Sequence, residues 1–300
     1  MTRVIRVSER GTFKRCRQRW DYSSPARQNL SPRGAPTALT FGSLIHAVLE
    51  QWLLDPDIDV EVTTLNCANK ELDQLKARYK AAVGVNPNDD ELEQFYLSID
   101  LAVQMMSGYK EHWGGPLPER YELMQPEQTL RVPIYPGPGY EDVVLQGTLD
   151  GLVRDTVSGR LFILEHKTYG IRPRMDTLEN NDQFLAYMWM AQQVFGEPVG
   201  GMVYDGMWKR EVTKKRTLDD IYFRTILTRP QHELDMFKER IVLEVQDMLG
   251  EPNIYLNRRW EGCHDCPFDK LCQAQSRGED ADYIRSSYYV KKENEDFYAS

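Results

Sequence analysis

The sequence predicts a mixed α/β fold, a central mixed sheet flanked by helices, with a helical N-terminal portion and a cysteine-bearing C-terminal segment. Three observations predict it. Apolar residues recur at helical spacing through the first hundred-odd positions. The texture then changes to short β-favouring runs separated by Gly/Pro turns. Three of the five cysteines, Cys263, Cys266 and Cys272, crowd into one late segment. These divisions organise the chain as a helical portion over 1–115, a core over 116–250 and a cysteine segment with tail over 251–300, all within one integrated domain.

Residues 41–54 form the first expected helix, because Leu44, Ile45, Val48, Leu49 and Trp52 fall on one face, with Thr40 as its N-cap. Two more helices are expected over 71–83 and 90–113, parted by Asn86-Pro87-Asn88. Strands follow over 128–133 and 143–154, with Pro136-Gly137-Pro138-Gly139 turning between them. Leu161-Phe162-Ile163-Leu164 reads as a buried strand entered through a hairpin turn at Ser158-Gly159. Residues 182–194 return to helix, 201–208 to strand, and 231–249 to a long amphipathic helix. The tail over 260–272 reads as irregular.

A length of 300 residues suffices to bury a core, and 41% hydrophobic with 28% charged residues is a globular composition. The sequence has neither an apolar run of membrane-spanning length nor a signal-peptide core at its start, so a cytoplasmic, membrane-free protein is expected. In such a reducing compartment clustered cysteines point to a metal or cluster rather than disulfides. The net charge of −9 opposes a wholly nucleic-acid-coated surface, but its distribution is uneven. Residues 1–33 carry nine basic against two acidic side chains, Arg15, Arg17 and Arg19 among them, and Lys209, Arg210, Lys214, Lys215 and Arg216 form a second basic run. Local basic surface on an acidic protein can still bind phosphates.

The strongest chemical signal is Gly147-Thr148-Leu149-Asp150 followed by Glu165-His166-Lys167. Alternation along a strand puts Glu165 and Lys167 on one face and His166 on the other, and a hairpin brings Asp150 beside Glu165. Two buried carboxylates need a cation, and oxygen ligands select a hard one such as Mg²⁺ or Mn²⁺. Such an ion activates water against a phosphodiester, the His166 backbone carbonyl can add a ligand, and Lys167 can offset developing charge. His46, four residues after Gly42 on a helix face, is a candidate imidazole ligand, and Gly42 is expected to allow close approach of another backbone. Gln183 and Tyr187 share a helix face in the same way and are candidate contacts to DNA phosphates or bases. Cys263, Cys266 and Cys272 need a fourth ligand: Cys16 is the best candidate, Cys67 the spare, and His264 can replace a cysteine in a zinc site. Zinc and an iron–sulfur cluster both accept four thiolates. Linking Cys16 to the late trio closes a loop of almost the whole chain.

Together Gly42–His46, Gly147–Asp150, Glu165–Lys167 and Gln183–Tyr187 resemble the GxxxH, GxxD, ExK and QxxxY elements of RecB-like PD-(D/E)xK nucleases, in that family's order. One early and three late cysteines resemble its iron–sulfur subset, which includes the AddB nuclease domain and the CRISPR-associated adaptation exonucleases. The resemblance covers about residues 8–275, and departs from the family name in having Leu149 where proline stands. It implies a restriction-endonuclease-like sheet and a metal held by His46, Asp150, Glu165 and the His166 carbonyl, with Lys167 catalytic. It also implies a [4Fe–4S] cluster on Cys16, Cys263, Cys266 and Cys272, with zinc as the alternative. The implied activity is exonuclease action on single-stranded DNA ends, 5′ to 3′, in recombination, repair or CRISPR-adaptation-like processing. The partners implied are DNA and helicase, recombination or CRISPR-adaptation proteins, and a homo-oligomer is compatible. No G-x-x-x-x-G-K-[ST] loop is present, so no nucleotide-driven motor is expected. The rival reading is a non-catalytic DNA-end-binding or assembly subunit.

Overall fold

The computed structural model describes residues 2–33, 37–83, 89–139, 142–250, 252–258 and 260–292; the break expected at Asn86-Pro87-Asn88 lies outside them. In chain order the elements are β1 (Arg3–Arg6), α1 (Val7–Arg15), α2 (Arg17–Ser23), β2 (Leu30–Pro32), α3 (Thr37–Leu54), α4 (Val60–Val83) and α5 (Asp89–Trp113). Then come β3 (Tyr121–Ile134), β4 (Val143–Asp155), β5 (Leu161–Tyr169), α6 (Met175–Leu178), α7 (Asp182–Phe195), β6 (Val199–Trp208), α8 (Leu218–Ile221) and β7 (Tyr222–Leu227). The chain continues through α9 (Gln231–Leu249), α10 (Trp260–Cys263), α11 (Asp269–Arg277), α12 (Ala281–Tyr288) and β8 (Tyr289–Lys291). This is the expected mixed α/β architecture. Two compact units form: a larger one of Ala35–Leu130 and Thr148–Phe237, and a smaller one of Met1–Gly34, Arg131–Gly147 and Lys238–Ser300.

In the larger unit, β4 pairs with β5 antiparallel, β5 with β6 parallel and β6 with β7 antiparallel, while β3 pairs with the other edge of β4. A mixed sheet arises because β4 and β5 join by the tight turn at Ser158-Gly159, where Gly159 adopts φ +70, whereas β5 and β6 are bridged by α7. Helices α3, α4 and α5 pack through Leu44, Ile45, Val48, Leu49, Trp52, Phe95 and Met106 into one core that also takes in Met207 and Tyr222 from the sheet. Helix α3 begins at Thr37, so Thr40 lies within the helix and is not its N-cap. Helix α4 begins eleven residues before the expected start, because Asp59 Oδ1 accepts from the backbone N–H groups of Glu61 (3.0 Å) and Val62 (3.1 Å) and nucleates an earlier first turn. Strand β5 runs past the apolar run to Tyr169, since its parallel register with β6 holds from Leu161↔Val199 to Tyr169↔Trp208. That extension places Glu165-His166-Lys167 inside the sheet.

The smaller unit is built from three distant stretches of chain. β1 adds parallel to the first residues of β4, from Arg3↔Val143 to Arg6↔Gln146, and β2 pairs antiparallel with β8. Tyr22, Leu30, Phe268, Leu271 and Tyr289 form its packing around Cys266 and Cys272, with the Phe268 and Tyr289 rings stacked at 5.4 Å. The tail is not irregular: α11 carries Cys272, and its C-terminal turn ends on left-handed Gly278. Nor is the basic N-terminus simply a solvated charge run. Arg10 is buried against Glu244 at 2.5 Å, Arg17 pairs with Asp247, and Arg27 pairs with Asp21 at 2.7 Å. Among the described residues, no helix is long and apolar enough to cross a membrane.

Candidate metal and nucleic-acid site

The β4–β5 ladder runs from Arg154↔Leu161 to Gly151↔Leu164 and stops there. The next pair in that register is Asp150 and Glu165, so the two carboxylates stand where the strands part. At the fork the Asp150 side chain replaces the lost ladder: its Oδ2 accepts the His166 backbone N–H at 2.6 Å. Its Oδ1 lies 3.0 Å from Nδ1 of His46, which α3 delivers. Burial pushes the Asp150 carboxyl up, but the His166 and His46 hydrogen bonds and charges outweigh it and hold the group well below the usual carboxylate range. The same pairing raises His46, whose burial alone would lower it.

Glu165 is 1% exposed. Its Oε1 lies 2.5 Å from the Lys167 ammonium, while Oε2 is buried with no hydrogen-bond partner. Burial pushes its carboxyl up to about 7, against the pull of Lys167, and the nearby Asp150 charge adds to the rise. Lys167 is shifted upward, since Glu165 and Asp150 outweigh its own burial. Two adjacent carboxylates therefore sit in opposite protonation regimes: one is saturated with donors and the other lacks them. An orphaned buried carboxylate oxygen beside an ionised one is the donor set a hard divalent cation completes. As they stand, no three His, Cys, Asp or Glu side chains among the described residues are drawn together closely enough to enclose an ion.

Gln183 and Tyr187 meet as their spacing predicts, with Gln183 Nε2 donating to Tyr187 Oη at 2.8 Å. Tyr187 is pushed up to about 12 by burial and then by the Glu165 charge, so its phenol faces the same carboxylate. Gly42 lines the cavity, but a Cβ there would meet only Thr168 Oγ1 at 3.8 Å, an ordinary contact. The expected close backbone approach at Gly42 is therefore absent. The cavity holds about 550 Å3 and is lined by His46, Asp150, His166 and Lys167, together with Glu50 and Glu127. Those two glutamates escaped the sequence reading. Glu50 stands one helical turn after His46, so its place on that face was available from spacing. Glu127 adopts φ 35 within β3, which no local signal announces; burial, and then Glu50 and Asp150, raise its carboxyl.

Behind the fork, the His166 ring turns to the opposite face, with Nδ1 3.7 Å from Asp150 Oδ2 and Nε2 3.7 Å from Asp205 Oδ2. Asp205 is itself buried and held by Arg224 Nη2 (2.7 Å) and Tyr109 Oη (2.6 Å). This support joins β5, β6, β7 and α5, and only the tertiary pairing reveals it.

In the smaller unit, Cys16, Cys263, Cys266 and Cys272 line one small cavity, flanked by Arg15 and Arg19. Cys16 caps α2 through its sulfur, which accepts from the Arg19 N–H at 3.5 Å. Burial raises the Cys272 thiol to about 11, and Cys16, Cys266 and Cys263 raise it further by their charge. Four mutually repelling thiols around one space fit a cationic centre, which would ionise them. His264 is exposed and paired with Asp265 at 2.8 Å, outside the cavity lining. Cys67 lies on α4 in the larger unit, where it accepts from Gln51 Nε2 at 3.1 Å. Of the basic residues expected to touch DNA, Arg17 is committed to Asp247 and stacks over Phe13 at 4.7 Å.

A sequence model described as the PD-(D/E)XK nuclease superfamily matches residues 7–273. No curated protein matches the chain. Among solved structures, the crystal structure of SSO0001 is 17% identical with a TM-score of 0.38, over 90% of this chain and 86% of that one. LHK-Exo in complex with dAMP is 13% identical with a TM-score of 0.29, over 71% and 93%. The alkaline exonuclease LHK-Exo from Laribacter hongkongensis is 14% identical with a TM-score of 0.23, over 70% and 97%.

Proposed function

The chain belongs to the PD-(D/E)XK nuclease superfamily, and from that premise we propose that it is a Mg²⁺- or Mn²⁺-dependent deoxyribonuclease of the RecB-like branch, acting as an exonuclease on single-stranded DNA ends. The observation that carries the reading is the fork itself: Asp150 saturated with donors, Glu165 buried with an orphaned oxygen, and Lys167 fixed between that carboxylate and the cavity.

His46, Asp150, Glu165 and the His166 carbonyl are the groups that would hold the cation, which supplies Lewis-acid polarisation of the phosphodiester and a more acidic water. The chain's own contributions follow from its geometry. Asp150 keeps its charge at neutral pH because two donors hold it, and it fixes the His46 ring through Nδ1. Lys167 stays protonated beside Glu165 and presents a localised positive charge to oxygens developing charge at phosphorus. Tyr187, tied to Gln183, closes the protein side and leaves an apolar wall with one phenolic group toward a bound strand. The 5′ to 3′ polarity and a role in recombination, repair or CRISPR-adaptation-like processing belong to the same proposal and rest on the four-motif order.

The four cysteines are proposed to bind a [4Fe–4S] cluster. Their common cavity, and the exposure of His264 outside it, favour an all-thiolate centre. Purification without oxygen should give a brown protein with visible absorption and stoichiometric iron; a colourless protein with stoichiometric zinc overturns that assignment.

The nuclease reading is tested with single- and double-stranded DNA labelled at either end, with and without Mn²⁺. Wild type should shorten the single strand only with metal, releasing the 5′ label first. Asp150→Ala, Glu165→Ala and Lys167→Ala should each lower the rate by about a hundredfold or more while circular dichroism stays native. Undiminished cleavage in these variants removes the reading, and a wild type that binds ends but never shortens them selects the non-catalytic alternative.

A further inference from the structure

The loop after β6 carries a basic run that the fork does not use. Between positions 209 and 216 there are five basic residues and one acidic residue, Glu211. Thr213 and Arg216 form an antiparallel bridge, so the run folds back on itself with Lys214 and Lys215 exposed at its tip. The fold-back carries the Arg216 guanidinium to 5.0 Å from the centroid of Trp208, and Arg210 lies 5.4 Å from the same ring. Among the described residues neither guanidinium has a carboxylate within ion-pair distance; Arg210 donates to the Lys209 carbonyl and Arg216 to that of Glu211. A guanidinium laid over an aromatic face keeps most of its in-plane N–H groups free for other acceptors, in a fork that matches phosphate.

The position of this device follows from strand register. Lys167 pairs with Gly206 and Tyr169 with Trp208. Alternate residues share a face, so Glu165, Lys167 and Tyr169 share theirs with Trp208. Gly206 leaves the face open and Phe223 fills it: a Cβ on Gly206 would stand 2.0 Å from that ring. Phe223 in turn stacks with Tyr169 at 6.4 Å and carries the Arg172 guanidinium 5.2 Å from its centroid. The row that starts at the lysine of the fork thus continues into aromatic rings overlain by guanidiniums. The first lies two residues on, about 7 Å along the strand, which is the rise of about two stacked nucleotides.

We infer that Trp208, Arg210 and Arg216, with Arg172 over Phe223, form a subsite that grips the backbone phosphates of a nucleic-acid strand beside the phosphate at the fork. The inference rests on the nuclease reading of the fork and deepens it. The substrate is a strand that continues past the cut, and flanking phosphates supply its binding energy. Trp208 holds the two guanidiniums in place rather than contacting the scissile group.

The test uses the full chain in EDTA, so that nothing is cut, and a fluorescent oligothymidylate whose anisotropy is followed across a salt series. Arg210→Ala/Arg216→Ala should weaken binding at least about tenfold and lower the slope of log K against log salt by about 1.4, two phosphate contacts on a single strand. Trp208→Ala should weaken binding through loss of guanidinium positioning, and Trp208→Phe should restore most of it. A loss of strand binding at unchanged thermal stability supports the subsite. Unchanged affinity and unchanged salt slope in the double-arginine variant overturn it, even if wild type cleaves DNA. The converse outcome, a reduced slope in a protein that never cleaves, keeps the subsite and rejects only the nuclease reading. An equal slope change on a duplex probe keeps the subsite and extends it to paired strands.

Discussion

Glu165 is the residue on which the site depends, and its cost to the fold can be measured without any substrate. A buried carboxyl pushed up to about 7 opposes folding when ionised. The sign follows from proton linkage. Below the ordinary value of 4.5 the group is neutral in both states and costs nothing; the penalty grows between 4.5 and 7 and is complete above that. Glu165→Gln in EDTA should therefore be more stable than wild type by a few kcal/mol at pH 8, with the gain vanishing below pH 4.5; denaturant melts at several pH values read it. A variant no more stable than wild type at pH 8 would show that the carboxylate is already compensated. Much of this was legible in the sequence, because alternation alone separates Glu165 and Lys167 from His166. The Asp150 hydrogen bond to the His166 N–H was not, since it exists only where two strands part. Glu127 was illegible for a similar reason: its left-handed backbone in mid-strand is set by the sheet rather than by its neighbours in sequence.

At the scale of elements, long apolar periodicities were read correctly. The amphipathic helix over 231–249 matches α9 in full, and α3, α5 and α7 differ from expectation by at most four residues at an end. Short or charged elements were missed: β1, β7 and the first half of α4 have little periodic signal of their own and are fixed by pairing or by a cap. Strand β6 shows what pairing demands. Gly206 lies under the Phe223 ring, so Gly206→Ala should lower unfolding stability by about 1–3 kcal/mol, as overpacking does. A lower urea midpoint at unchanged m-value is the expected result, and an unchanged midpoint would mean the ring moves aside freely. The same glycine gives the aromatic row its continuity beyond Lys167, so structural and binding roles meet at one backbone position.

At the scale of the molecule, the smaller unit gathers residues from both ends and the middle of the chain. Contacts of such separation are slow to form and gain little until all are present. A centre on Cys16, Cys263, Cys266 and Cys272 would offset that cost by restricting the unfolded chain, as a long-loop crosslink does. Cys263→Ser should therefore abolish visible absorption and lower the melting temperature of the anaerobically purified protein. Glu165→Gln should leave the absorption unchanged. Retention of full stability by Cys263→Ser would assign the packing of Tyr22, Phe268, Leu271 and Tyr289, with the β2–β8 pair, as sufficient by itself.

The sequence by itself determined the chemistry: which acids, which lysine, which imidazole and which thiols, because residue type and local period travel with the chain. Tertiary structure alone decided the protonation regime of the two carboxylates, the Asp205 support behind His166, the guanidiniums over Trp208 and the pairing of Arg17 with Asp247. Burial, register and the end of a hydrogen-bonded ladder are relations between distant segments, and no local pattern carries them.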